Sequence, residues 1–466
     1  MVSGDPPDAE EIGCGVSKPA AKQKVFLFLQ GPPSIFARTI ADELELLGCK
    51  TLRLNLCPGD WLSWHDKRAR SYRGTLADWP KWLAKFCKEN GVTDLIYYAD
   101  RVPYHSAAAE VGNSLGLTCT TYEFGYLRPD WITLERDGMS AHSRFPKDPD
   151  IIREAAAGLP EIDRRPLFPF SFEAEAVSEV TYNMSNVLFA AFYPRYVRDK
   201  LYHPLVDYLS NIPRLMLSRR RARNAAHLID DVISSGCPYF VFPLQLQSDY
   251  QLRYNSPFDH IAEAAEDVIR SFAKSAPIAA RLVFKVHPLD NGMEPWRKIL
   301  RTIAKRYGVK KRVYVIDGGN LDLLLRHSAG ALTINSTSGL HSLRVSCPTK
   351  VLGISLYDIN GLTCQKPIDD FWREGSKPDP ELLDALERLL AATIQVKGCF
   401  YTDNGRRAGA YEIARRLAAG SVNLPGALCD VAPRLKRARD LGIATTFDEQ
   451  IASRGKTERW THVWQG

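Results

Sequence analysis

Short apolar segments alternate with helix-like patterns in the first part of this chain, and this alternation restricts the possible fold more than any other feature of the sequence. Most of these segments are continuous apolar runs, as is typical of strands buried on both faces of a sheet, and several are rich in β-branched and aromatic residues. Because strand and helix alternate, the pattern predicts a parallel, doubly wound α/β sheet with right-handed crossovers. The predicted strands are VFLFLQ (25–30), TLRLNL (51–56), DLIYYAD (94–100) and the run from 118 that delivers Glu123 and breaks at Gly125.

The same alternation returns in a second part of the chain, after a long and mostly helical region. A chain of 466 residues exceeds what one hydrophobic core usually organises, so two such domains are expected. The later strands are PYFVFPLQLQ (238–247), RLVFKV (281–286), VYVID (313–317), GALTIN (330–335) and KVLGI (350–354). We predict a flexible tail at 1–22, an N-terminal Rossmann-like domain at 23–169, a helical bridge at 170–235, a C-terminal Rossmann-like domain at 236–400 and a helical tail at 401–466.

The composition limits the partners that such a chain can have. Lysine and arginine outnumber aspartate and glutamate, 61 against 54, and an arginine cluster spans Arg214 to Arg223; this excess suits an anionic ligand or membrane face. No nucleic-acid motif accompanies it, so no nucleic-acid partner is predicted. The ten cysteines form no CxxC pair, as in reduced, cytosolic proteins. No secretory signal is recognisable and no apolar run reaches the ~18 residues of a membrane span, so any membrane contact is expected to be peripheral.

Polar and aromatic residues follow the predicted strands of the first domain. In an open α/β sheet, ligands bind in the crevice beyond the carboxyl ends of the strands, where these residues would meet. Glu123 is the candidate catalytic carboxylate, because it ends a strand just before an irregular aromatic loop. The alternative is that loops are polar for ordinary reasons of solvation. The candidate ligand-binding residues are Gln30, Asp60, Trp61, Asp100, Arg101, His105 and Arg128.

The second domain carries the clearest anion-binding signal, at the segment TINSTSGLHSL (333–343). A strand ends at Asn335 and a helix follows, so free backbone N–H groups and the helix dipole favour a phosphate there. An ordinary N-cap by Ser or Thr is the alternative. His287, with Pro288 after it and Lys285 before it, ends a neighbouring strand and could donate to the same phosphate. The candidate residues on this side are Gln247, Lys285, Asn335, Ser336, Thr337, Ser338 and Gly339, with His287 as the catalytic partner of Glu123.

Several classes of chemistry are disfavoured by missing motifs. The close acidic pairs Asp148/Asp150, Asp230/Asp231 and Asp369/Asp370 lack any spacing typical of metal ligands, so neither a metal nor another cofactor is expected. There is no P-loop, no GxGxxG that opens a helix and no GxSxG elbow, which disfavours nucleoside triphosphatases, dinucleotide oxidoreductases and α/β-hydrolases.

The motifs together resemble the bacterial capsule-polysaccharide β-Kdo glycosyltransferases of the KpsS type, which start the glycolipid anchor of capsules. The resemblance runs in order from about residue 26 to 372. Its matching stretches are FLQGP, NLCPGDWLSW, DRVPYHSAA, YEFGYLRPDWITLE, FPLQLQSDYQ with NSPF, KVHPLD, INSTSGLHSL and LYDINGLT with DFW.

The resemblance implies a GT-B architecture, in which two Rossmann-like domains face each other across a cleft and the C-terminal one binds the nucleotide sugar. It implies CMP-Kdo as donor, a (lyso)phosphatidylglycerol-type lipid as acceptor and work at the inner face of the cytoplasmic membrane, alongside other capsule-assembly proteins. Since donor and product are both β-linked in this family, it also implies retention, and two displacements need a carboxylate nucleophile.

One departure from the family concerns the nucleophile itself. Related β-Kdo transferases carry Glu-Asp-Gly-Phe-Leu-Arg with a catalytic Asp, where this chain has Glu-Phe-Gly. Phe124 cannot act, so the role falls to Glu123 or, as alternates, to Asp130 or Glu135. Two rival functions follow: a transferase for another CMP-sugar, such as CMP-sialic acid, and a non-catalytic capsule-assembly scaffold of the same fold.

Overall fold

Two open sheets with helices on both faces organise the computed structural model, which describes residues 23–169 and 171–457. The first sheet has seven strands in the order β3-β2-β1-β4-β5-β6-β12. Its strands are β1 (Val25–Phe28), β2 (Lys50–Asn55), β3 (Ala69–Ser71), β4 (Asp94–Tyr98), β5 (Thr118–Phe124), β6 (Trp131–Arg136) and β12 (Gln395–Lys397). The helices that accompany it are α1 (Phe36–Leu46), α2 (Pro58–Ser63), α3 (Trp79–Asn90), α4 (Pro103–Ser114) and α5 (Pro149–Ala156).

The second sheet has five parallel strands in the order β11-β10-β7-β8-β9. Its strands are β7 (Tyr239–Pro243), β8 (Arg281–Val286), β9 (Val313–Asp317), β10 (Gly330–Thr333) and β11 (Thr349–Val351). Its helices are α9 (Tyr250–Asn255), α10 (Ile261–Ser275), α11 (Trp296–Arg306), α12 (Leu321–Arg326), α13 (Ser338–Arg344), α14 (Ile368–Glu374) and α15 (Pro380–Thr393). Both sheets therefore contain the doubly wound 3-2-1-4-5 order, and the predicted α/β class with two Rossmann-like domains is confirmed.

Three helices connect the two sheets: α6 (Phe172–Leu188), α7 (Pro204–Met216) and α8 (Ser218–Ser234). Single 3₁₀ turns lie at Ser140–His142 and Ala190–Phe192. The side chains of α6 and α7 meet where Asn183 Nδ2 donates to Tyr208 Oη at 3.1 Å. This connecting region lies against the first domain through α6 and against the second through α7 and α8.

The C-terminal part of the chain returns to the first domain. Strand β12 pairs antiparallel with β6, although residues 395–397 fall inside the range predicted for the second domain. After it come α16 (Asp403–Ala419), α17 (Leu435–Asp440) and α18 (Phe447–Thr457). On α16, Ile413, Ala414 and Leu417 pack in one buried cluster with Phe36 and Ile40 of α1. The first core is thus completed by segments that lie nearly 400 residues apart in the chain. The predicted tail at 1–22 and residues 458–466 lie outside the described residues.

Candidate active site

Glu123 lies at the carboxyl end of β5, half-buried, where the first domain meets helix α9 of the second. Its Oε2 accepts a hydrogen bond of 2.8 Å from Gln251 Nε2. Gln251 is itself oriented by two donors to its Oε1, Ser140 Oγ at 2.7 Å and Asn255 Nδ2 at 3.0 Å. Side chains of both domains therefore fix the position of the Glu123 carboxylate.

The environment of Glu123 favours its neutral form. Burial raises the pKa of Glu123 to about 8, and the nearby negative charges of Asp249 and Asp100 act in the same direction. The hydrogen bond from Gln251 and the charge of Arg128 act in the opposite direction without cancelling the effect. A carboxyl group with such a pKa gives up its proton near neutral pH, as groups at reaction centres often do.

Helix α9 contacts the first domain at a second point. Tyr250 Oη donates to Asp100 Oδ1 and accepts from the Arg101 backbone N–H at 3.0 Å, while Met139 N–H donates to Asp100 Oδ2 at 2.9 Å. Behind the helix, Asn335 Nδ2 donates to the carbonyl oxygens of Gln251 and Asn255 at 2.9 and 3.0 Å. Asn335 thus positions α9, which in turn positions Glu123 and Asp100.

His287 follows β8 on the other side of this junction. Leu289 N–H donates to His287 Nδ1 at 3.1 Å, so the neutral ring carries its proton on Nε2. Burial, together with the positive charges of Lys285 and Arg128, lowers the pKa of His287 to about 4. At neutral pH the ring is therefore an uncharged donor through Nε2, suited to hydrogen-bond an anionic leaving group.

The segment after β10 satisfies most of its own hydrogen-bonding groups. Ser336 N–H donates to Thr333 Oγ1, Ser338 N–H to Ser336 Oγ and Gly339 N–H to the Ser336 carbonyl oxygen. A Cβ at Gly339 would lie 2.1 Å from Tyr357 Oη, so only glycine fits there. Ser338 Oγ, however, is buried and has no hydrogen-bond partner among the described residues. The predicted anion donors of this segment were its backbone N–H groups and the hydroxyls of Ser336, Thr337 and Ser338, and of these the Ser338 hydroxyl is the one that lies buried without a partner among the described residues.

Arg128, in the loop after β5, supplies positive charge at this site. Its guanidinium lies 4.7 Å from the centre of the Phe124 ring, and its side chain is exposed. Its positive charge acts on the pKa values of both Glu123 and His287, which belong to different domains. We refer to the region around Glu123, Arg128 and His287, where the charge of Arg128 acts on groups of both domains, as the cleft.

Comparisons with known proteins identify the chain's family. A family model described as "Capsule polysaccharide biosynthesis protein" matches residues 93–401, well over half of the chain. The chain belongs to this family. It is 29% identical over 381 residues to the capsule polysaccharide export protein KpsS of Escherichia coli, which covers 81% of this chain and 97% of that protein. It is 30% identical over 388 residues to the capsule polysaccharide modification protein LipB of Neisseria meningitidis, with 81% and 91% covered.

Among solved structures, the chain also has similar proteins. A chain described as KpsC, beta Kdo 2,7 transferase, of Thermosulfurimonas dismutans matches 85% of this chain and 99% of its own length. The identity is 14% and the TM-score 0.41. By sequence, this capsule biosynthesis protein is similar to KpsS and LipB.

The two alternate carboxylates lie in different surroundings from Glu123. Asp130 is buried and accepts from Lys397 Nζ at 2.8 Å and from the backbone N–H groups of Leu167 and Phe168 at 2.6 and 3.2 Å, and these donors lower its pKa. It therefore holds a turn together. Glu135 is completely buried, accepts from Ser143 Oγ, and burial raises its pKa to about 8. A carboxylate that no ligand can reach is a poorer nucleophile than half-buried Glu123.

Phe124, the residue after Glu123, is part of an aromatic cluster. Its ring centroid lies 4.9 Å from that of Phe400 and 6.5 Å from that of Tyr401. Successive side chains of a strand point to opposite faces, so Glu123 and Phe124 face different surroundings.

Three predicted ligand-binding residues lie away from the cleft. Gln30 is buried beneath α6 and donates to Tyr182 and Tyr196, each at 3.2 Å. Asp60 is buried there too, and binds Arg53 at 3.0 Å and Tyr182 Oη at 2.9 Å. Because α6 covers these strand ends, the polar atoms of Gln30 and Asp60 bind other residues of the protein and do not face a ligand site. Trp61 is half exposed and lines an apolar pocket on the outside of α2 instead.

Four further predicted residues serve mainly to hold the structure together. The Arg101 guanidinium contacts the Gln450 amide of α18 at 2.8 Å. His105 is buried, donates from Nδ1 to the Ala99 carbonyl oxygen at 3.0 Å, and burial lowers its pKa to about 4. Gln247 fixes the start of α10 by accepting from Ile261 N–H at 2.9 Å. Lys285 is buried beside Asp317, and burial lowers its pKa.

Sequence reasoning missed Asp249, Tyr250, Gln251 and Ser140. Asp249 caps α9, where its Oδ1 accepts from Gln251 N–H at 2.8 Å, and burial raises its pKa. An Asp directly before a short helix, in FPLQLQSDYQ, was the available signal for a capped turn. Among residues 23–169 and 171–457, no group of three or more His, Cys, Asp or Glu side chains could hold a metal ion, and no helix there is long and apolar enough to cross a membrane.

Proposed function

We propose that this protein transfers Kdo from CMP-β-Kdo to a (lyso)phosphatidylglycerol-type acceptor with retention of configuration, and so starts the poly-Kdo linker of a capsular polysaccharide. Membership of the capsule polysaccharide biosynthesis family and the sequence resemblance to β-Kdo transferases support the substrate class. The observation that carries the proposal is that the charge of Arg128 acts on both a half-buried carboxyl group of the first domain, Glu123, and a neutral imidazole donor of the second, His287.

The first displacement begins with ionised Glu123. Its carboxylate oxygen attacks the anomeric carbon of Kdo while the bond from that carbon to the CMP phosphate oxygen breaks. His287 Nε2–H and the Ser338 hydroxyl donate hydrogen bonds to the departing phosphate, and Arg128 offsets its charge. Strands β8 and β10 lie on either side of β7, so their ends are about 10 Å apart. The side chains of His287 after β8 and Ser338 after β10 could extend towards each other from these ends, and a phosphate would fit between them.

In the second displacement the acceptor hydroxyl attacks the same carbon and releases Glu123. The hydroxyl proton passes to a carboxylate, for which Asp249 is the candidate because it is close enough to raise the pKa of Glu123. Two inversions give net retention. No step needs a metal, because His287, Ser338 and Arg128 supply the donors and the positive charge.

An apolar pocket of about 410 Å³ supports a lipid acceptor. Arg73 is its charged lining residue, and the remaining lining residues are Pro58, Trp61, Leu62, Ser185, Phe189, Phe192 and Tyr193. Helix α6 connects this pocket to the cleft, since Arg128 acts on the pKa of Glu175 in its first turn. The ten residues from Glu175 to Ser185 span about 15 Å of helix, within the length of one phospholipid.

The experiment is to incubate the purified chain with CMP-Kdo and lysophosphatidylglycerol and to analyse products by mass spectrometry. We expect a lipid carrying at least one Kdo. Transfer from CMP-sialic acid in a parallel reaction, with none from CMP-Kdo, would assign a different donor. An absence of product with either donor, from protein that binds CMP, would favour the scaffold. Sedimentation of the protein with inner-membrane vesicles tests its proposed place at the cytoplasmic membrane face.

A further inference from the structure

Helix α7 carries its apolar face on the outside. At about 100° per residue, positions 205, 209, 212 and 216 fall within about 60° of one another on one side of the helix. Their side chains, Leu205, Leu209, Ile212 and Met216, are all exposed, Leu209 to 64% and Met216 to 81%. We call these four residues the α7 stripe. An apolar side of a helix normally packs on the core, so its exposure indicates a partner.

The opposite face of α7 is polar and binds the second domain. Asp207 accepts from Asn291 Nδ2 at 2.8 Å. Arg214 forms an ion pair with Asp317 at 3.0 Å. The orientation of α7 is therefore fixed by specific polar contacts, and the stripe cannot turn inward without breaking them.

Basic side chains surround the stripe. Directly after it, Arg219, Arg220 and Arg223 lie on the outer side of α8, opposite buried Ala225, Ile229 and Val232. Arg214 and Arg221 of the same cluster bind Asp317, so the predicted arginine cluster divides into a structural pair and an exposed triplet. None of the exposed three has an acidic partner within the described part of the chain.

A basic groove adds further charge on the other side of α7. It has a volume of about 840 Å³ and is lined by Arg214 together with the exposed face of α11. The basic residues that α11 and the following turn contribute to it are Arg297, Lys298, Arg301, Lys305 and Lys310, which outnumber the two carboxylates of its lining, Glu294 and Asp317.

We propose that the α7 stripe and the exposed arginines of α8 dock this protein onto an anionic lipid bilayer. An apolar helix face bordered by Lys and Arg is the arrangement by which interfacial helices insert their side chains among acyl chains while cations meet lipid phosphates. A second copy of this chain is a poor occupant, because two such faces would bring like charges together. The proposal deepens the membrane location given under the proposed function, but needs neither the donor nor the reaction.

The test uses co-sedimentation of the full chain with vesicles of phosphatidylcholine alone or of equal parts phosphatidylcholine and phosphatidylglycerol. The wild type should bind the anionic vesicles, and added salt should weaken binding. The double substitution Leu209→Ser/Ile212→Ser should weaken it about tenfold or more, since both changes remove apolar surface from the inserted face. The substitution Arg219→Gln/Arg220→Gln/Arg223→Gln should remove the preference for phosphatidylglycerol.

A matched control is Ile278→Ser, which removes an apolar side chain that is 90% exposed in the loop before β8. It should bind vesicles like the wild type. Equal binding by Leu209→Ser/Ile212→Ser and the wild type would overturn the proposal. So would a wild-type dimer in sedimentation equilibrium that this double substitution converts to monomers. Transfer to a water-soluble short-chain acceptor should be unchanged by the double substitution, which separates failed docking from failed catalysis.

Discussion

Two carboxyl groups in the first domain have pKa values raised to about 8, and exposure distinguishes them. Glu123 and Glu135 lie on the same face of the β5–β6 pair, since Glu123 is opposite Thr133 and Thr121 is opposite Glu135. Glu135 is completely buried, whereas Glu123 is half-buried at the strand end. Only Glu123 combines a shifted pKa with access to a ligand.

The raised pKa of Glu123 makes stability depend on pH. Between its ordinary value of 4.5 and about 8 the folded state binds more protons than the unfolded state, so the free energy of unfolding falls as pH rises through this range. Glu123→Gln removes this contribution. We expect the variant to unfold at a higher temperature than the wild type at pH 8.5, and at nearly the same temperature at pH 4.5.

Thermal melts followed by circular dichroism at both pH values check this. Glu154→Gln on exposed α5 is the control, and it should show no such pH-dependent gain. A Glu123→Gln variant that is less stable than the wild type at pH 8.5 would mean that the carboxylate is stabilised in its ionised form.

His287 acts as a neutral donor in this account. Replacing it with Ala removes a hydrogen bond to the leaving phosphate, and we expect turnover to fall by about 10²-fold. Because the pKa of His287 is about 4, its titration should add no limb of its own between pH 5 and 9, where the rise in rate should follow the ionisation of Glu123 alone. Steady-state rates from pH 5 to 9 test both statements, and near-normal turnover by His287→Ala would remove it from the mechanism.

Helix α9 is the element that links the two domains at the site. It has six residues, yet its side chains reach Glu123 and Asp100 of the first domain while Asn335 holds its backbone from the second. A shift of the second domain is therefore transmitted to Glu123 through one hydrogen bond, from Gln251.

Removing that hydrogen bond should shift the pH profile. Gln251 stabilises the ionised form of Glu123, so Gln251→Ala should raise the pKa of Glu123 and move the acidic limb of kcat/KM to higher pH. Gln365→Ala, at an exposed position outside the cleft, should leave the limb in place. An unchanged limb in Gln251→Ala would show that this limb does not report Glu123.

Among the strands, the sequence predicted those that lie in continuous apolar runs and missed β3, β6 and β12. Runs such as 25–30 and 281–286 are continuous and buried, so their pattern is unambiguous. Strand β6 was predicted as irregular loop because its pairing depends on the turn after Gly125, and β12 has three residues whose partner in β6 lies more than 250 residues away. Pairing partners so distant in the chain leave no local signal.

At the scale of the whole molecule, the sequence pattern predicted polar residues at the strand ends, but it did not predict which strand ends another helix would cover. Arg128 lies near enough to Glu123 and His287 for its charge to act on the pKa of each, and the roles of these three residues stay predictions. Gln30 and Asp60 end strands of the same sheet, but α6 crosses over them and uses their polar atoms. The sequence pattern of residues 171–188 does not show where α6 will pack. Only the tertiary structure therefore distinguishes the covered residues, Gln30 and Asp60, from Glu123 and Arg128.

The pocket beside α2 and α6 should select acceptors by chain length. Phe192→Ser replaces a 60% exposed aromatic wall of the pocket with a small polar group. We expect KM for long-chain lysophosphatidylglycerol to rise about tenfold or more while KM for a short-chain analogue stays the same. An equal rise in KM for both acceptors would show that the acyl chain does not bind in this pocket. Ile278→Ser again serves as the control.

The central claim is that Glu123 forms a covalent bond to Kdo, and intact-protein mass spectrometry tests it most directly. The wild type is mixed with CMP-Kdo without acceptor, quenched in acid, weighed and digested. The account predicts a mass increase of one Kdo residue on the peptide that contains Glu123, and none in Glu123→Gln. An adduct on Asp130 or Glu135, or efficient transfer by Glu123→Gln, would contradict it.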